Sequence, residues 1–233
     1  MNFYFENYSQ MTMEELKRKS KQSSKKGYNP VIIEDRKIAK TWWGKKWCEN
    51  LENYADYSSR IGRGKRYVRS GTVIDLKIEE GIIKGLVQGS RIKPYKVIIN
   101  IKPLSKERKD EILEIATSQI DNLDSLMSGE FPEELSDVFL NPYHGLFPSP
   151  DEISINCNCP DWAVMCKHAA AVLYGVGARL DENPLMFFLL RSMDFNLFIK
   201  KSIEEKTDLM FKNIGANKQR LIPEEIAKNL FGF

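Results

Sequence analysis

Apolar residues recur at helical spacing after Thr41 and at every second position further along the chain. Trp43, Trp47, Leu51 and Tyr54 fall on one face of a helix that Thr41 can cap, while the charged residues between them fall mostly on the other face. This spacing predicts an amphipathic helix that buries tryptophan side chains in the core.

From about residue 65 to residue 102 the apolar period shortens to two, as expected for strands with one buried face. Glycine-containing breaks near residues 71, 81 and 89 separate the runs. The pattern predicts an antiparallel meander of three or four strands. Its buried row consists of Ile74, Leu76 and Ile78 in one strand and of Tyr95, Val97, Ile99 and Ile101 in another.

Helical patterns dominate the remainder of the chain, and one short strand interrupts them. We therefore expect an α+β fold, in which an antiparallel β meander is flanked by helices and followed by a C-terminal helical segment. The short strand is predicted over 152–156. The helices are predicted over 105–127, 132–140, 167–179, 184–191 and 194–205, with a last one beginning at Pro223.

Basic residues are concentrated near the start of the chain. Residues 1–70 contain 16 Lys/Arg and 8 Asp/Glu, whereas the net charge of the whole chain is only +3. The Lys/Ser-rich stretch 14–29 is interpreted as a flexible arm or a frayed basic helix. This asymmetry is typical of a segment that contacts a polyanion, or of a solvated arm that keeps the protein soluble.

These patterns divide the chain into four parts. We expect a basic, partly flexible arm over 1–35, an α+β domain over 36–145, a cysteine-containing module with its following helices over 150–206, and a helical tail over 207–233. The sequence contains no apolar run of the ~20 residues that a membrane span needs, and its start lacks the pattern of a secretory signal. With four cysteines and no secretory context, a reducing, cytoplasmic location is expected.

Three of the four cysteines and one of the two histidines lie within residues 156–169, N-C-N-C-P-D-W-A-V-M-C-K-H-A. Cys157 and Cys159 are two residues apart on an expected strand, so both side chains project to the same side. Cys166 and His168 fall at the first turn of an expected helix, whose positive end favours a thiolate. Zinc takes four such ligands in a tetrahedron, so the window predicts one closed, structural Zn²⁺ site.

The cysteines also admit other interpretations. A disulfide between Cys157 and Cys159 would close a very small, strained ring in a reducing compartment. Three buried, inert thiols beside a core histidine are the alternative to a metal site. A catalytic zinc would need an open position, whereas four protein ligands are present here. Cys48, beside Trp47, is predicted to be a buried thiol.

The stretch C-N-C-P-D-W-A-V-M-C-K-H-A-A-A-V-L-Y resembles the SWIM zinc finger, whose pattern is C-x-C, a variable gap and C-x-H. Further segments resemble bacterial SWIM-finger proteins that are often encoded beside a Snf-type helicase-like ATPase. These segments are T-W-W-G-K-K-W, R-G-K-R-Y-V-R-S-G, V-Q-G-S-R-I-K-P-Y and D-E-N-P-L-M-F-F-L-L-R, so that the resemblance covers roughly residues 38–205. It implies a strand–turn–helix finger with one zinc, binding to DNA or protein, and a helicase-like ATPase as partner.

Three clusters combine positive charge with aromatic or glycine-rich sequence, which suits contact with phosphates and unpaired bases. They surround W-W-G-K-K, R-I-G-R-G-K-R-Y-V-R and Q-G-S-R-I-K-P-Y. If the second and third form turns at the same end of the sheet, they make one basic edge. With Lys167 of the finger, the candidate nucleic-acid-binding residues are Trp42, Lys45, Lys46, Arg60, Arg63, Lys65, Arg66, Arg69, Arg91, Lys93 and Lys167.

The same clusters have simpler interpretations, since the arginine-rich turn can be a solvated hairpin tip and Q-G-S-R is partly a turn signal. The sequence has no glycine-rich phosphate loop and no carboxylate pair at a catalytic spacing, so we expect no enzyme. We expect a zinc-binding accessory protein that binds nucleic acid, with DNA favoured. The alternatives are an adaptor that docks the ATPase through the finger and the apolar helix P-L-M-F-F-L-L-R, and a metal-dependent nuclease.

Overall fold

The computed structural model describes residues 11–52, 58–119, 136, 140–141 and 145–216. The helices predicted over 132–140 and from Pro223 therefore lie wholly or mainly outside the described residues. No helix in the described part is long and apolar enough to cross a membrane. The elements in chain order are α1 (Met13–Ser23), α2 (Trp42–Glu52), α3 (Ser58–Arg69), β1 (Val73–Glu79), β2 (Ile82–Val87), β3 (Tyr95–Ile101), α4 (Lys106–Gln119), a 3₁₀ turn (Pro150–Glu152), β4 (Ile153–Cys157), α5 (Lys167–Glu182), α6 (Met186–Leu190) and α7 (Phe195–Ala216).

The four strands form one antiparallel sheet in the order β1-β2-β3-β4, which confirms the predicted α+β fold. Buried and exposed residues alternate along the whole of β3, as its sequence predicts. The strand expected over 152–156 is β4, which pairs with β3 and places Cys157 opposite Val97. The sheet therefore reaches as far as the first predicted metal ligand.

A β-bulge in β1 changes which residues of that strand face the core. The register with β2 shifts between Val73 and Asp75, so that Ile74 is an extra residue. In consequence Val73, rather than Ile74, joins Leu76 in the central apolar cluster. Ile74 is instead buried in the wall of a groove beside α1. The alternation in the sequence predicted the strand but not the bulge, which shifts the period by one residue.

Helix α5 lies at the centre of the fold. It packs against all four strands and against α2 and α3, and most of its residues are buried. Trp47 of α2 is buried against it and donates its indole N–H to the carbonyl oxygen of Leu173 at 2.9 Å. Thr41 caps α2 as predicted, because its hydroxyl oxygen accepts the backbone N–H of Gly44 at 3.2 Å.

The basic stretch near the N-terminus is helical over Met13–Ser23, which is the second of the two interpretations left open by the sequence. A capping box stabilises the start of this helix, and Leu16 anchors it in the core. Beyond the helix, Val31 donates its backbone N–H to the carbonyl oxygen of Val73 at 2.9 Å. The described part of the basic segment is therefore attached to the edge strand of the sheet.

The arginine-rich segment is helix α3, which corrects the turn expected from the sequence. Glycine disfavours helices, and this segment contains Gly62 and Gly64. A side chain at Gly64, however, would come within 2.5 Å of the Cβ of Ala170 on α5. Glycine at this position allows the two helices to approach closely, and their packing outweighs its low helix propensity.

The apolar helix α6 belongs to the core. Phe187, Phe188 and Leu190 are buried, and only Leu189 of the four is exposed. The alternative in which this helix docks a partner therefore loses most of the apolar surface that it requires.

A buried ion network fixes the start of β4. Glu152 accepts hydrogen bonds from Arg108 at 2.9 Å and from Arg191 at 2.8 Å. Arg191 is buried and also donates to the carbonyl oxygen of Lys102 at 2.7 Å. Burial by itself raises the pKa of Glu152, but hydrogen bonds from Arg191 and from the Ser149 backbone bring that pKa below its ordinary value. These hydrogen bonds hold the residue that precedes β4, the strand that ends in the first predicted metal ligand, Cys157.

We expect Gly64→Ala to lower the free energy of unfolding by about 1–3 kcal/mol, because the added methyl group overlaps Ala170. Gly62→Ala is the matched control, since a side chain there meets nothing within 4 Å. It should raise the free energy of unfolding by about 0.5–1 kcal/mol by favouring the helix. Urea unfolding of both variants and the wild type measures the difference, and equal effects would contradict the close packing of α3 on α5.

Candidate metal centre and basic cleft

The four predicted zinc ligands come from two elements that meet at the sheet edge. Cys157 is the last residue of β4, and Cys159 follows it in the turn. Cys166 is the N-cap of α5, and His168 lies in the first turn of that helix. The strand–turn–helix arrangement expected from the sequence is therefore present, and it brings both ligand pairs to one place.

The ligand atoms of these four residues lie within 4.8 Å of one another. His168 Nδ1 is 3.9 Å from Cys157 Sγ and 4.0 Å from Cys166 Sγ. A tetrahedral zinc with ordinary bond lengths holds such atoms about 3.6–3.8 Å apart. Only a small contraction is needed to close this site around an ion. Three thiols and one imidazole nitrogen, with no open position between them, fit structural zinc.

The electrostatics of the cluster favour a thiolate at Cys166. A hydrogen bond from Cys157, one with His168 and one from the backbone N–H of Ala169 together lower the pKa of Cys166 to about 4. The interaction with Cys166 and burial raise the pKa of Cys157, and burial raises that of Cys159. A divalent ion that binds here replaces the remaining thiol protons, so metal affinity falls at low pH.

His168 is held between two aromatic rings. Its imidazole stacks on Tyr95, with ring centroids 4.1 Å apart, and meets the edge of Tyr67 at 5.5 Å. Nδ1 faces the thiols, whereas Nε2 is buried and has no hydrogen-bond partner among the described residues. When Nδ1 binds a metal, Nε2 carries the proton and is a hydrogen-bond donor. His168 therefore belongs both to the metal cluster and to the lining of a neighbouring cleft.

This cleft has a volume of about 530 Å³ and lies between α3, the loop after β2 and the finger. Two of the predicted clusters meet in it, because Arg63 and Arg66 lie on one wall and Arg91 on another. Lys167 adds a cation from the start of α5. The basic edge expected from two turns is thus built from a helix and a loop. The cleft is lined by Met11, Arg63, Arg66, Tyr67, Ser90, Arg91, Tyr95, Cys159, Pro160, Asp161, Lys167 and His168.

Aromatic rings hold two of the cations in the cleft. The Arg91 guanidinium lies 5.3 Å from the ring centre of Tyr95, and Lys167 Nζ lies 5.2 Å from that of Tyr67. Arg66 donates to the backbone carbonyl of Met11. Within the described ranges, none of Arg63, Arg66, Arg91 and Lys167 forms an ion pair with a carboxylate. Lys167 is close enough to the Asp161 carboxylate for a Coulombic interaction, but in the described part of the chain none of the four cations is held in an ion pair.

Several other predicted cations are paired with carboxylates. Among the described residues, Asp161 is the one acidic residue that lines the cleft. Burial raises its pKa, but the hydrogen bonds from Arg60 and from the Ala163 backbone N–H, together with the positive charges of Arg60 and Lys167, bring that pKa below the ordinary value. The pairs are Arg60 with Asp161 at 3.2 Å, Lys46 with Glu49 at 2.9 Å, and Lys65 with Glu52 at 2.8 Å.

The remaining predicted residues do not line the cleft. Trp42 is half-buried and meets Trp43 edge-on, with ring centroids 5.7 Å apart. Lys45 and Arg69 line a different groove, beside α2. Lys93 is exposed on the loop that carries Arg91. Of the three sequence clusters, the one at W-W-G-K-K stays apart from the other two.

Three aromatic residues in or next to the cleft are not among the candidate binding residues, although Tyr67 and Tyr95 lie within two of the sequence clusters. The rings of Tyr67 and Tyr95 lie beneath Lys167 and Arg91. This role could not be predicted from the sequence, because it depends on which residues are neighbours in space. Trp162 is 79% exposed and directly follows Asp161 in the finger. The exposure of Trp162 could have been predicted from the sequence. The residue lies in the short loop between the two ligand pairs, and such a loop has no core of its own in which to bury an indole.

Cys166→Ser and His168→Ala should each lose bound zinc and unfold the finger locally, because structural zinc binding is coupled to folding. Cys48→Ala is the matched control, since Cys48 is buried outside the metal cluster. It should retain the zinc of the wild type. Elemental analysis of freshly prepared protein and thermal unfolding provide the measurements. Less than about half a zinc ion per wild-type chain would contradict the metal site.

Thiol labelling should distinguish the three cysteines of the metal cluster from Cys48. Burial raises the pKa of Cys48 to about 12, so its reactive thiolate is scarce until the pH approaches that value. With Ellman's reagent at about pH 8, we expect no rapid reaction while zinc is bound and three rapid thiols after chelation. Cys48 should react only after denaturation. Rapid labelling of all four cysteines upon chelation would show that the metal supports the whole fold.

Comparison with known proteins agrees with this geometry. The family model described as SWIM zinc finger matches residues 137–176, which contain β4, all four ligands and the first part of α5. The chain is also 37% identical over 158 residues to the uncharacterized protein Rv2102 of Mycobacterium tuberculosis. That match covers 67% of this chain and 57% of the relative. No solved structure matches. The donor set, its geometry and the family match together show that this chain contains a SWIM zinc finger within residues 137–176, which implies zinc binding.

Proposed function

We propose that this protein binds nucleic acid in the cleft beside its zinc finger, catalyses no reaction itself, and serves as an accessory to a helicase-like ATPase. One observation carries the proposal: Arg63, Arg66, Arg91 and Lys167 converge from three elements without a carboxylate partner among the described residues. Four like charges in one concave surface repel one another. A phosphate backbone neutralises them.

The positions of these cations support the same function. Interactions with Tyr67 and Tyr95 hold two of them in place at about 0.5–2 kcal/mol each, and they leave the positive charge available to an anion. A carboxylate partner would position a cation equally well but would cancel its charge. Lys65 and Lys46, which face away from the cleft, have such partners.

In this proposal zinc has a structural part in binding. Lys167 lies between two metal ligands, and Cys159 is both a ligand and part of the cleft wall. Cys157, Cys159, Cys166 and His168 would hold the ion, and the closed site would keep this wall beside α3 and Lys167 over Tyr67. It supplies no chemistry to the nucleic acid.

Salt dependence is the direct test. Four phosphate contacts give a slope of log K against log salt of about −3 to −4, because counterions are released. Arg63→Ala should reduce the slope by about one unit. Arg69→Ala is the matched control, since Arg69 is exposed on the same helix but outside the cleft, and its slope should equal that of the wild type. Fluorescence anisotropy of labelled DNA and RNA at several salt concentrations measures both variants.

Two results would contradict the proposal. One is the absence of DNA and RNA binding at low salt by zinc-loaded protein. The other is an equal loss of binding in the Arg63 and Arg69 variants, which would indicate diffuse attraction to a basic protein. Incubation of the complex with Mg²⁺ tests the nuclease alternative, and we expect the strand to stay intact.

The adaptor alternative finds a better surface than α6 in a groove beside α1. This groove has a volume of about 420 Å³ and an apolar floor that includes Val31 and Ile74. Lys17, Lys21 and Arg69 are among the residues that line it. Apolar and basic groups together suit an acidic partner segment that carries apolar side chains, and we propose the ATPase as its source.

Co-purification from the native host distinguishes this role. Ile32 is 72% exposed at the groove, so Ile32→Glu should abolish co-purification of an ATPase identified by mass spectrometry. The same variant should bind nucleic acid as the wild type does, because Ile32 lies outside the cleft. Retention of the ATPase by Ile32→Glu would exclude this groove as its docking site.

A further inference from the structure

We propose that the cleft takes an unpaired strand of nucleic acid, whose phosphates lie between its walls while a base stacks on Trp162. This inference rests on the proposed function and specifies its ligand. It follows from the shape of the cleft, from the apolar residues at its margin and from the way in which the finger presents the indole.

The cations face one another across a concave surface. Arg63 and Arg66 line the cleft from α3, Arg91 lines it from the loop after β2, and Lys167 from the start of α5. Its volume of about 530 Å³ is that of a pocket for a small ligand. A sugar–phosphate unit fits such a space. A duplex exposes its phosphates on a convex surface, so it would meet only the margin of the cleft.

Large apolar side chains directly follow two residues that line the cleft. Ile92, next to Arg91, is 90% exposed, and Trp162, next to Asp161, is 79% exposed. Exposed apolar groups beside phosphate-binding cations match the alternation of bases and phosphates along an unpaired strand. In a duplex the faces of the bases are stacked inside and cannot contact a surface indole.

The turn that carries Trp162 is fixed. Asp161 accepts hydrogen bonds from the backbone N–H of Ala163 at 3.3 Å and from Arg60 of α3 at 3.2 Å. Cys159 and Cys166 hold the turn at both ends through the metal centre. Trp162 is therefore presented from an ordered turn, so little conformational freedom is lost when a base stacks on it.

His168 offers a further contact toward the same ligand. His168 lines the cleft, and its buried Nε2 has no hydrogen-bond partner in the described part of the chain. As the protonated nitrogen of a metal-bound imidazole it is a donor. An acceptor that enters the cleft beside His168, such as a phosphate oxygen, would give this nitrogen a partner.

The test compares a labelled single strand of about 12 nucleotides with a hairpin duplex of the same composition, both with zinc-loaded protein. We expect about tenfold tighter binding to the single strand. Trp162→Ala should weaken that binding by roughly 5- to 100-fold and leave duplex binding unchanged, while Trp162→Phe should retain part of it. Ile32→Ala, which removes an apolar side chain of similar exposure outside the cleft, should have no effect.

Tryptophan fluorescence of the same proteins gives a second measurement of whether a base stacks on Trp162. Trp47 is buried, and Trp42 and Trp43 are half-buried, so Trp162 is the most exposed of the four tryptophans. The single strand should quench emission in the wild type and much less in Trp162→Phe.

The outcomes separate this inference from the proposed function. Equal affinity for duplex and single strand would overturn the inference while salt-dependent binding through Arg63 still stood. A single-strand preference that survives Trp162→Ala unchanged would overturn the stacking role of Trp162. Failure to bind either nucleic acid would overturn the proposed function and the inference together.

Discussion

The first turn of α5 carries the constraint on which the rest of the structure depends. Cys166 caps this helix through the backbone N–H of Ala169 at 3.4 Å and also faces the other metal ligands. The same helix continues into the centre of the core, where it packs against α2, α3 and the sheet. Helix α5 therefore belongs both to the metal cluster and to the core, so a shift of the helix would move the two together.

The contrast between the two faces of α3 shows how the fold distributes positive charge. On one face Lys65 is neutralised by Glu52, and it also lies 5.6 Å from the ring centre of Tyr174. On the side toward the finger, Arg60 is paired with Asp161, whereas Arg66 donates to a backbone carbonyl and Lys167 of α5 lies over the ring of Tyr67. A net charge of +3 for the chain conceals this difference, because bulk charge counts each cation equally.

Local patterns in the sequence were sufficient for the features that depend on local structure. Spacing alone predicted β3, the cap at Thr41 and the two ligand pairs, since each follows from the geometry of one strand or one helix turn. Features set by distant contacts were missed. Segment α3 is helical because Gly64 fits closely against Ala170 of α5. Tyr67 contributes to the cleft because its ring lies under Lys167, one hundred positions later in the chain.

The pairing of β4 with β3 has a consequence for how such a finger is inherited. Cys157 ends a strand of the main sheet, and His168 belongs to the central helix. What looks in the sequence like a self-contained insert of about 40 residues is thus assembled from parts of the host fold. Recombination that moved it elsewhere would leave this sheet without its edge strand. The finger and the sheet are expected to change together in evolution, as one inherited unit.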